Sequence, residues 1–446
     1  MRLIVIGAVA GGMSAASKLR RLDPSIDITV FEKGKDVSYG ACGLPYYLSG
    51  EIKSDQTLVA RTPEKFREKG IDLRLNHEVT HVDAKAHTVT VFDHETKKGR
   101  EEPYDKLLIA TGASAIRLPV EGRDLENIHT LSSLAEGRAL HDALRREDVK
   151  HVTLIGAGYI GVEMSEALRK LGLEVTVIEQ EDHVLPKFSP MTGKTVGNTM
   201  RENGVDLRTG EALKGYAGKE TVRKVLTDQG EIETDLVIES IGVGPNTSFL
   251  KPTGMKMLKN GAIVVNERME TSLEDIYAAG DCAAMPNRLT GGLSYLPLGT
   301  HANKAGRVVA EQIAGNDDTF DGVIGSSVLK GFDLEIARTG LTDEEAAKSE
   351  TFDVGTVEIK APDRSGYYPG ATPVEIKLYY DKKTCRIVGT EMIGKSGVAH
   401  RINVAATAIS AKMTAKQVAA LDLAYAPPFS PVWDPLQTAC NQVKCG

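Results

Sequence analysis

One local pattern occurs twice in this chain, and it leaves little choice of fold. His151-Val152-Thr153-Leu154-Ile155 runs into the turn Gly156-Ala157-Gly158-Tyr159-Ile160-Gly161, then a helical stretch over Val162–Leu171, then Glu174-Val175-Thr176-Val177-Ile178-Glu179. An apolar run, a glycine turn, a helix and a second apolar run ending in an acid make a βαβ unit that binds a dinucleotide. The glycines let the backbone approach a pyrophosphate, the helix N-terminus faces it, and the acid accepts from a ribose hydroxyl. Leu3–Ile6, the turn Gly7-Ala8-Val9-Ala10-Gly11-Gly12, a helix over Met13–Arg21 and the strand ending at Glu32 repeat the unit, with Val9 where the fingerprint has its second glycine.

Two units predict two nucleotides, FAD at the first and a nicotinamide nucleotide at the second. Glu179, followed by Gln180 and Glu181, favours a ribose 2′-hydroxyl and repels a 2′-phosphate, so NADH is the expected coenzyme and NADPH a possible one. Further strand-to-turn markers are Leu107-Leu108-Ile109-Ala110-Thr111-Gly112, the stretch from Asp235 to Asn246 around Gly242, and Thr271–Asp281. In the last, Gly280 and Asp281 follow a small-residue strand end and place a carboxylate for a flavin ribityl hydroxyl.

The chain has 446 residues, 41% of them apolar, enough for two or three domains with their own cores. A net charge of -7 argues against nucleic-acid or anionic-membrane binding. No run approaches the roughly 18 apolar residues of a membrane span, and the N-terminus has no leader pattern, so a soluble cytoplasmic protein is expected. Five scattered cysteines fit a reducing compartment rather than a disulfide framework.

The segment Ser38-Tyr39-Gly40-Ala41-Cys42-Gly43-Leu44-Pro45-Tyr46-Tyr47 follows the first unit, and its glycines and proline suit close approach to a flat ligand. The next cysteines are Cys282, Cys385, Cys440 and Cys445, which excludes a local dithiol. If Cys42 is redox-active, it works alone. A thiol in solution has a pKa of about 8.5, and lowering it by about two units takes roughly 2.7 kcal/mol. A helix expected to begin near Pro45 supplies up to about 2 kcal/mol of that in a partly buried site, and flavin contact the remainder.

These markers together resemble the two-dinucleotide flavoprotein disulfide reductases over the whole chain. Four motifs narrow the likeness to the coenzyme A-disulfide reductases: Ser-x-x-x-Cys-Gly-x-Pro-Tyr, the first glycine turn, Gly366-Tyr367-Tyr368-Pro369-Gly370 and Tyr425-Ala426-Pro427-Pro428-Phe429-Ser430. Ala10 stands where the sister NADH oxidases and peroxidases carry a histidine, and Ala41 where several relatives have Asn.

The resemblance implies an α/β protein with two Rossmann-like dinucleotide-binding domains and an α+β C-terminal dimerisation domain. The expected boundaries are 1–118 and 246–320 for the FAD domain, 119–245 for the NAD(P)H domain and 321–446 for the dimerisation domain. The last agrees with a hairpin from Val374–Tyr380 through Asp381-Lys382-Lys383 to Ile387–Thr390, then an alanine-rich helix over 398–412. With the sequence ending at Gly446, the rhodanese extension of some relatives, and its internal sulfur relay, are not expected.

The resemblance also implies a homodimer reducing CoA disulfide through a mixed disulfide, Cys42-S-S-CoA. Electrons from NADH reach it through FAD, CoA leaves, and the Cys42 thiolate then attacks CoA disulfide. Tyr367 and Tyr425 match the family's active-site tyrosines, the latter donated across the dimer. The implied cofactor set is Gly7, Ala8, Ala10, Gly11, Gly12, Glu32, Lys33, Ser38, Val79, Ala110, Thr111, Gly112, Gly280, Asp281, Pro297, Gly299 and Ala302 for FAD, with Gly156, Gly158, Tyr159, Ile160, Gly161, Glu179 and Gly242 for the nicotinamide nucleotide. Ser14, Lys18, Arg21, Ser38, Lys69 and His301 are the implied CoA contacts, and Arg61, a cation following Cys42, is a further candidate for its phosphates.

The same cysteine serves a CoA persulfide or polysulfide equally well. An NADH oxidase activity and a non-catalytic flavin redox sensor are the other readings. Cys440 and Cys445 imitate the C-terminal pair of thioredoxin and mercuric reductases, but without a dithiol near the flavin they read as incidental thiols on a frayed tail, and Cys282 as packing.

Overall fold

Apolar runs without alternation fold as parallel strands buried on both faces. In the computed structural model, which describes residues 1–445, Leu3, Ile4 and Val5 are fully buried at the centre of such a sheet. Its order is Ile276–Ala278, Lys106–Ile109, Arg2–Ile6, Asp27–Phe31 and Asp72–Arg74, all parallel. This sheet belongs to a unit made of Met1–Ile116, Thr130–Arg145 and Gly242–Val323.

The helix after the first strand spans Ala10–Leu22 and so starts earlier than the Met13 expected from sequence. Gly11 and Gly12 sit inside its first turn, where a Cβ on Gly11 would crowd the Ala279 carbonyl, and the helix Gly299–Ile313 crosses so closely that a Cβ on its Gly306 would strike the Gly11 carbonyl. The same unit holds an antiparallel sheet of His77–Asp83, Thr88–Asp93 and Lys98–Pro103.

The second unit comprises Arg117–His129, Arg146–Ile241 and the chain from Ile324 onward. It repeats the parallel plan in the order Val205–Thr209, Glu174–Glu179, His151–Ile155, Leu236–Glu239 and Ile128–His129. It also contains a five-stranded antiparallel sheet, Ser327–Gly331, Leu334–Gly340, Ile387–Gly394, Pro373–Asp381 and Val354–Pro362. The expected hairpin is its Pro373–Asp381 and Ile387–Gly394 pair, and the expected helix runs Val398–Ser410, stopping short of 412 where Lys412 turns left-handed at φ 57°.

Contacts group the chain differently from the expected boundaries in one place, and one expectation is corrected, that of the tail. Residues 130–145, placed with 119–245 from sequence, cluster in the first unit, where Gly137 of the helix Leu134–Ala143 lies against Leu44 with no room for a Cβ. The tail does not fray with incidental thiols: Cys445 is joined to Cys385, with Cα atoms 5.9 Å apart, and Cys440 is buried in the helix Pro435–Asn441. Cys440 and Cys445 are therefore not a pair. Among the described residues no helix is long and apolar enough to cross a membrane.

Candidate active site

The two glycine turns are built alike, bond for bond. Gly7 N–H donates to the Phe31 carbonyl at 2.8 Å, and Gly156 N–H to the Ile178 carbonyl at 2.8 Å. A Cβ on Gly12 would be driven into the Gly7 carbonyl oxygen, and one on Gly161 into that of Gly156. Ala8 N–H donates to Glu32 Oε2 at 2.9 Å and Gly34 N–H to Oε1 at 2.8 Å. In the second unit Ala157 N–H donates to Glu179 Oε2 at 2.8 Å and Glu181 N–H to Oε1 at 3.0 Å. In both, an acid at the second strand end locks the turn and stands beside the helix start.

This parallel explains why Val9 replaces a glycine without harm. Val9 caps its helix at φ -103° and Gly158 does so at φ -74°, so neither position requires a left-handed residue. Gly7 at φ 102° and Gly156 at φ 94° do require one, and both are glycine. Ser240, unremarked in the sequence, adds a further lock, its hydroxyl donating to the Gly156 carbonyl at 2.8 Å. Tyr159 is the first residue of the helix Tyr159–Lys170, its ring tilts on Phe188 and its hydroxyl bonds Ser327 Oγ at 2.8 Å. Gly242, at φ 113°, falls in the first unit, where its carbonyl accepts from Ile116 N–H.

Around the first turn the structure gathers much of the implied flavin set. Ser38 N–H donates to the Ala8 carbonyl at 2.9 Å, Ala110 N–H to the Ile6 carbonyl at 2.8 Å, and a Cβ on Gly280 would touch Ala302 at 3.5 Å. Burial raises the Asp281 carboxyl above its ordinary value, and its carboxylate has no hydrogen-bond partner among the described residues, as suits a group kept for a ligand hydroxyl. Thr111 is half-buried after the strand Lys106–Ile109, and Gly112 follows at φ 65°. Val79 is a core residue, Lys33 and Gly299 are exposed, and Pro297 is half-buried. Anion-facing helix start, ribose acid and buried acceptor together fit FAD.

Cys42 stands on a 3-10 turn, Ala41–Gly43, that leads into the helix Leu44–Leu48 with Pro45 in its first turn. Its side chain is exposed, whereas Cys282 is fully buried and pushed up to about 11 by that burial. The loop is fixed on both flanks. Ser38, held left-handed at φ 49°, binds the glycine turn through its N–H and Ala60 N–H through its carbonyl, and Gly40 N–H donates to the Leu58 carbonyl at 2.9 Å. The cysteine is thus presented by a backbone anchored to the flavin turn.

The implied CoA contacts divide. Lys18 is ion-paired with Glu311, and Ser14 Oγ donates to Asn303 Oδ1 at 2.6 Å. His301 is buried, Nδ1–H donating to the Leu296 carbonyl at 3.1 Å, and burial lowers its pKa. It is therefore a neutral ring and not a cation for phosphate. Arg21, Arg61 and Lys69 are exposed.

In the second unit Tyr367 and Tyr425 come together with their oxygens 3.2 Å apart. Tyr367 lies on the loop closing Val354–Pro362 onto Pro373–Asp381, and Tyr425 on the loop before the helix Pro435–Asn441. Neither motif predicts the group that spans both loops, Arg401, which sits in an alanine-rich helix without a signature.

Comparison with known proteins agrees with this construction. A family model described as pyridine nucleotide-disulphide oxidoreductase matches residues 1–306, and its dimerisation domain matches 327–436. The chain is 40% identical over 446 residues to an NAD(P)H coenzyme A polysulfide/persulfide reductase of Pyrococcus horikoshii, covering 99% of this chain and 98% of that one. It is 34% identical over 432 residues to a coenzyme A disulfide reductase of Staphylococcus aureus, covering 96% of each. The crystal structure of reduced Bacillus anthracis CoADR-RHD superposes with a TM-score of 0.95 at 35% identity, covering 99% of this chain and 79% of that one.

Proposed function

Because this chain belongs to the pyridine nucleotide-disulphide oxidoreductases, flavoproteins that use FAD and NAD(P)H, we propose that it is an FAD-dependent NAD(P)H:CoA-disulfide reductase working through Cys42. What carries the reading is the exposed Cys42 on a loop tied by Ser38 to the first glycine turn, with Cys282 and Cys440 buried and Cys385 engaged with Cys445. One accessible cysteine cannot store two electrons as an internal disulfide, so a mixed disulfide with a small thiol is its stable oxidised form.

When bound, FAD supplies hydride acceptance from the nicotinamide and delivery of two electrons to a disulfide. The chain does the rest. Glu32 and Glu179 hold the turns that seat the two nucleotides, and Glu179 favours NADH. Cys42 cycles between thiolate and Cys42-S-S-CoA. Two electrons and a proton convert the mixed disulfide to the Cys42 thiolate and CoA; the thiolate then attacks CoA disulfide, restoring the mixed disulfide and expelling the second CoA as thiolate. Tyr367 and Tyr425, bonded to each other, act as one pair that donates hydrogen bonds to the leaving sulfur of the partner subunit in a homodimer. Arg21, Arg61 and Lys69 face the phosphates of CoA.

A second reading is favoured by the 40% identity to a CoA polysulfide/persulfide reductase. Attack of the Cys42 thiolate on CoA persulfide gives the same mixed disulfide and expels hydrosulfide. The mass of the unreduced protein before and after dithiothreitol tests the mechanism: loss of about 765 Da, mapped to the Cys42 peptide, supports it, and an unmodified Cys42 overturns it. Counting CoA and sulfide formed per NADH with each substrate then separates the two readings.

A further inference from the structure

We propose that Arg401 is the positioning residue of the tyrosine pair, holding in register the two loops that carry Tyr367 and Tyr425; this rests on the reading of those phenols given above. The Arg401 guanidinium is buried, 8% exposed, and every arm of it is used. Nε donates to Asp434 Oδ2 at 2.7 Å and Nη1 to the Gly397 carbonyl at 3.1 Å. Nη2 donates to the Asp363 carbonyl at 2.8 Å and the Phe429 carbonyl at 3.4 Å. Asp363 lies just before Tyr367 and Phe429 just after Tyr425, so one nitrogen bridges the two tyrosine loops. Asp434 continues the frame, accepting from Ser430 Oγ at 3.3 Å and from Leu436 N–H at 2.9 Å. The loops also meet directly, Ser365 N–H donating to the Pro427 carbonyl at 3.3 Å.

A buried ion pair is weak evidence for stability, since a well-packed apolar pair of the same volume often does as well. What an apolar pair cannot do is fix two carbonyls and a carboxylate at set angles. The planar fork of arginine does this, and the single ammonium of lysine reaches only part of the set. Within the single chain the tyrosines are too exposed for packing to place them. Their register comes from the guanidinium beneath.

The test uses the FAD-loaded full chain as Arg401→Lys, Tyr367→Phe and the two combined, with Arg401→Met as a second removal of the fork. Arg401→Lys is expected to stay folded with a modestly lower melting temperature and to keep the flavin content and the rate at which NADH bleaches the flavin, while kcat with CoA disulfide falls about tenfold to a hundredfold. Combined with Tyr367→Phe it should cost little more than either change alone, because both act through one pair. Wild-type turnover in Arg401→Lys overturns the proposal, and so do losses that multiply in the combined variant or a parallel loss of flavin bleaching. Full turnover in Tyr367→Phe alone sinks the tyrosine reading, and the role of Arg401 with it. Should Arg401→Met not fold, Arg401→Lys decides.

Discussion

Tyr367 and Tyr425 meet phenol to phenol at 3.2 Å although their side chains are 77% and 45% exposed. Hydrogen bonds from Tyr425, and then from Ser365, hold the Tyr367 phenol below its ordinary value. Two tyrosines pointing into solvent yet bonded to each other are a polar device, since neither ring has a core to fill.

Tyr425→Phe should therefore lower CoA-disulfide turnover by about tenfold or more while leaving flavin content unchanged. Loss of its hydroxyl also lets the Tyr367 phenol return upward. If the protonated phenol is the working form, activity falls as pH rises through its pKa, so the alkaline limb of the pH–rate profile moves to higher pH in the variant. Unchanged rates and an unmoved limb would make Tyr425 an interface residue only.

Cys42→Ser keeps the Ala41–Gly43 turn and its anchors, because none of them involves the thiol: Ser38, Gly40 and Ala60 bond through backbone groups. FAD binding and flavin reduction by NADH are expected to survive, and disulfide turnover to vanish. Retained turnover would move the chemistry to the Cys385–Cys445 pair.

Glu179 locks the turn by accepting from the Ala157 and Glu181 N–H groups, and the proposed function gives it a second duty toward the coenzyme ribose. Glu179→Ala should raise the KM for NADH and narrow any preference for NADH over NADPH, since a carboxylate repels a 2′-phosphate. Glu179→Gln keeps an acceptor without the charge and should recover part of the NADH affinity but not the discrimination. An unaltered ratio of kcat/KM for the two coenzymes in both variants would show that the acid serves the turn alone.

The parallel sheets were legible because a buried βαβ unit writes itself locally: Leu3–Ile6 and His151–Ile155 are unbroken apolar runs, and glycine stands where φ is positive, at Gly7 and Gly156. What escaped was set by partners distant in sequence. The close crossing of the first helix depends on the bare Gly306, the packing of residues 130–145 on Leu44, and the fate of Cys445 on Cys385. Arg401 reads as a solvated charge on an alanine-rich helix, and only the return of the chain at Asp363, Phe429 and Asp434 buries it. The implied CoA contacts look alike by residue type, yet Glu311 engages Lys18 and burial lowers the pKa of His301.

Glu102 links acid stability to the first unit. Burial opposes its ionisation, but bonds from Arg2 at 2.6 Å, Arg100 at 2.8 Å and Arg74 at 2.8 Å outweigh this and hold its carboxyl down to about 2, from an ordinary 4.5. A carboxyl depressed in the folded state contributes stability that is present above its unfolded value and is lost as pH falls from there toward the folded one. Solvent reaching this cluster leaves about 1–2 kcal/mol of that contribution. Glu102→Gln removes it at every pH. The urea midpoint of the variant, followed by far-UV circular dichroism, should lie below wild type at neutral pH, and the gap should close progressively as pH falls below about 4.5. A gap that stays constant to about pH 3 would mean that the loss does not depend on the ionisation of Glu102, the amide fitting the three arginines worse than the acid in either protonation state, and that it is one of shape rather than charge.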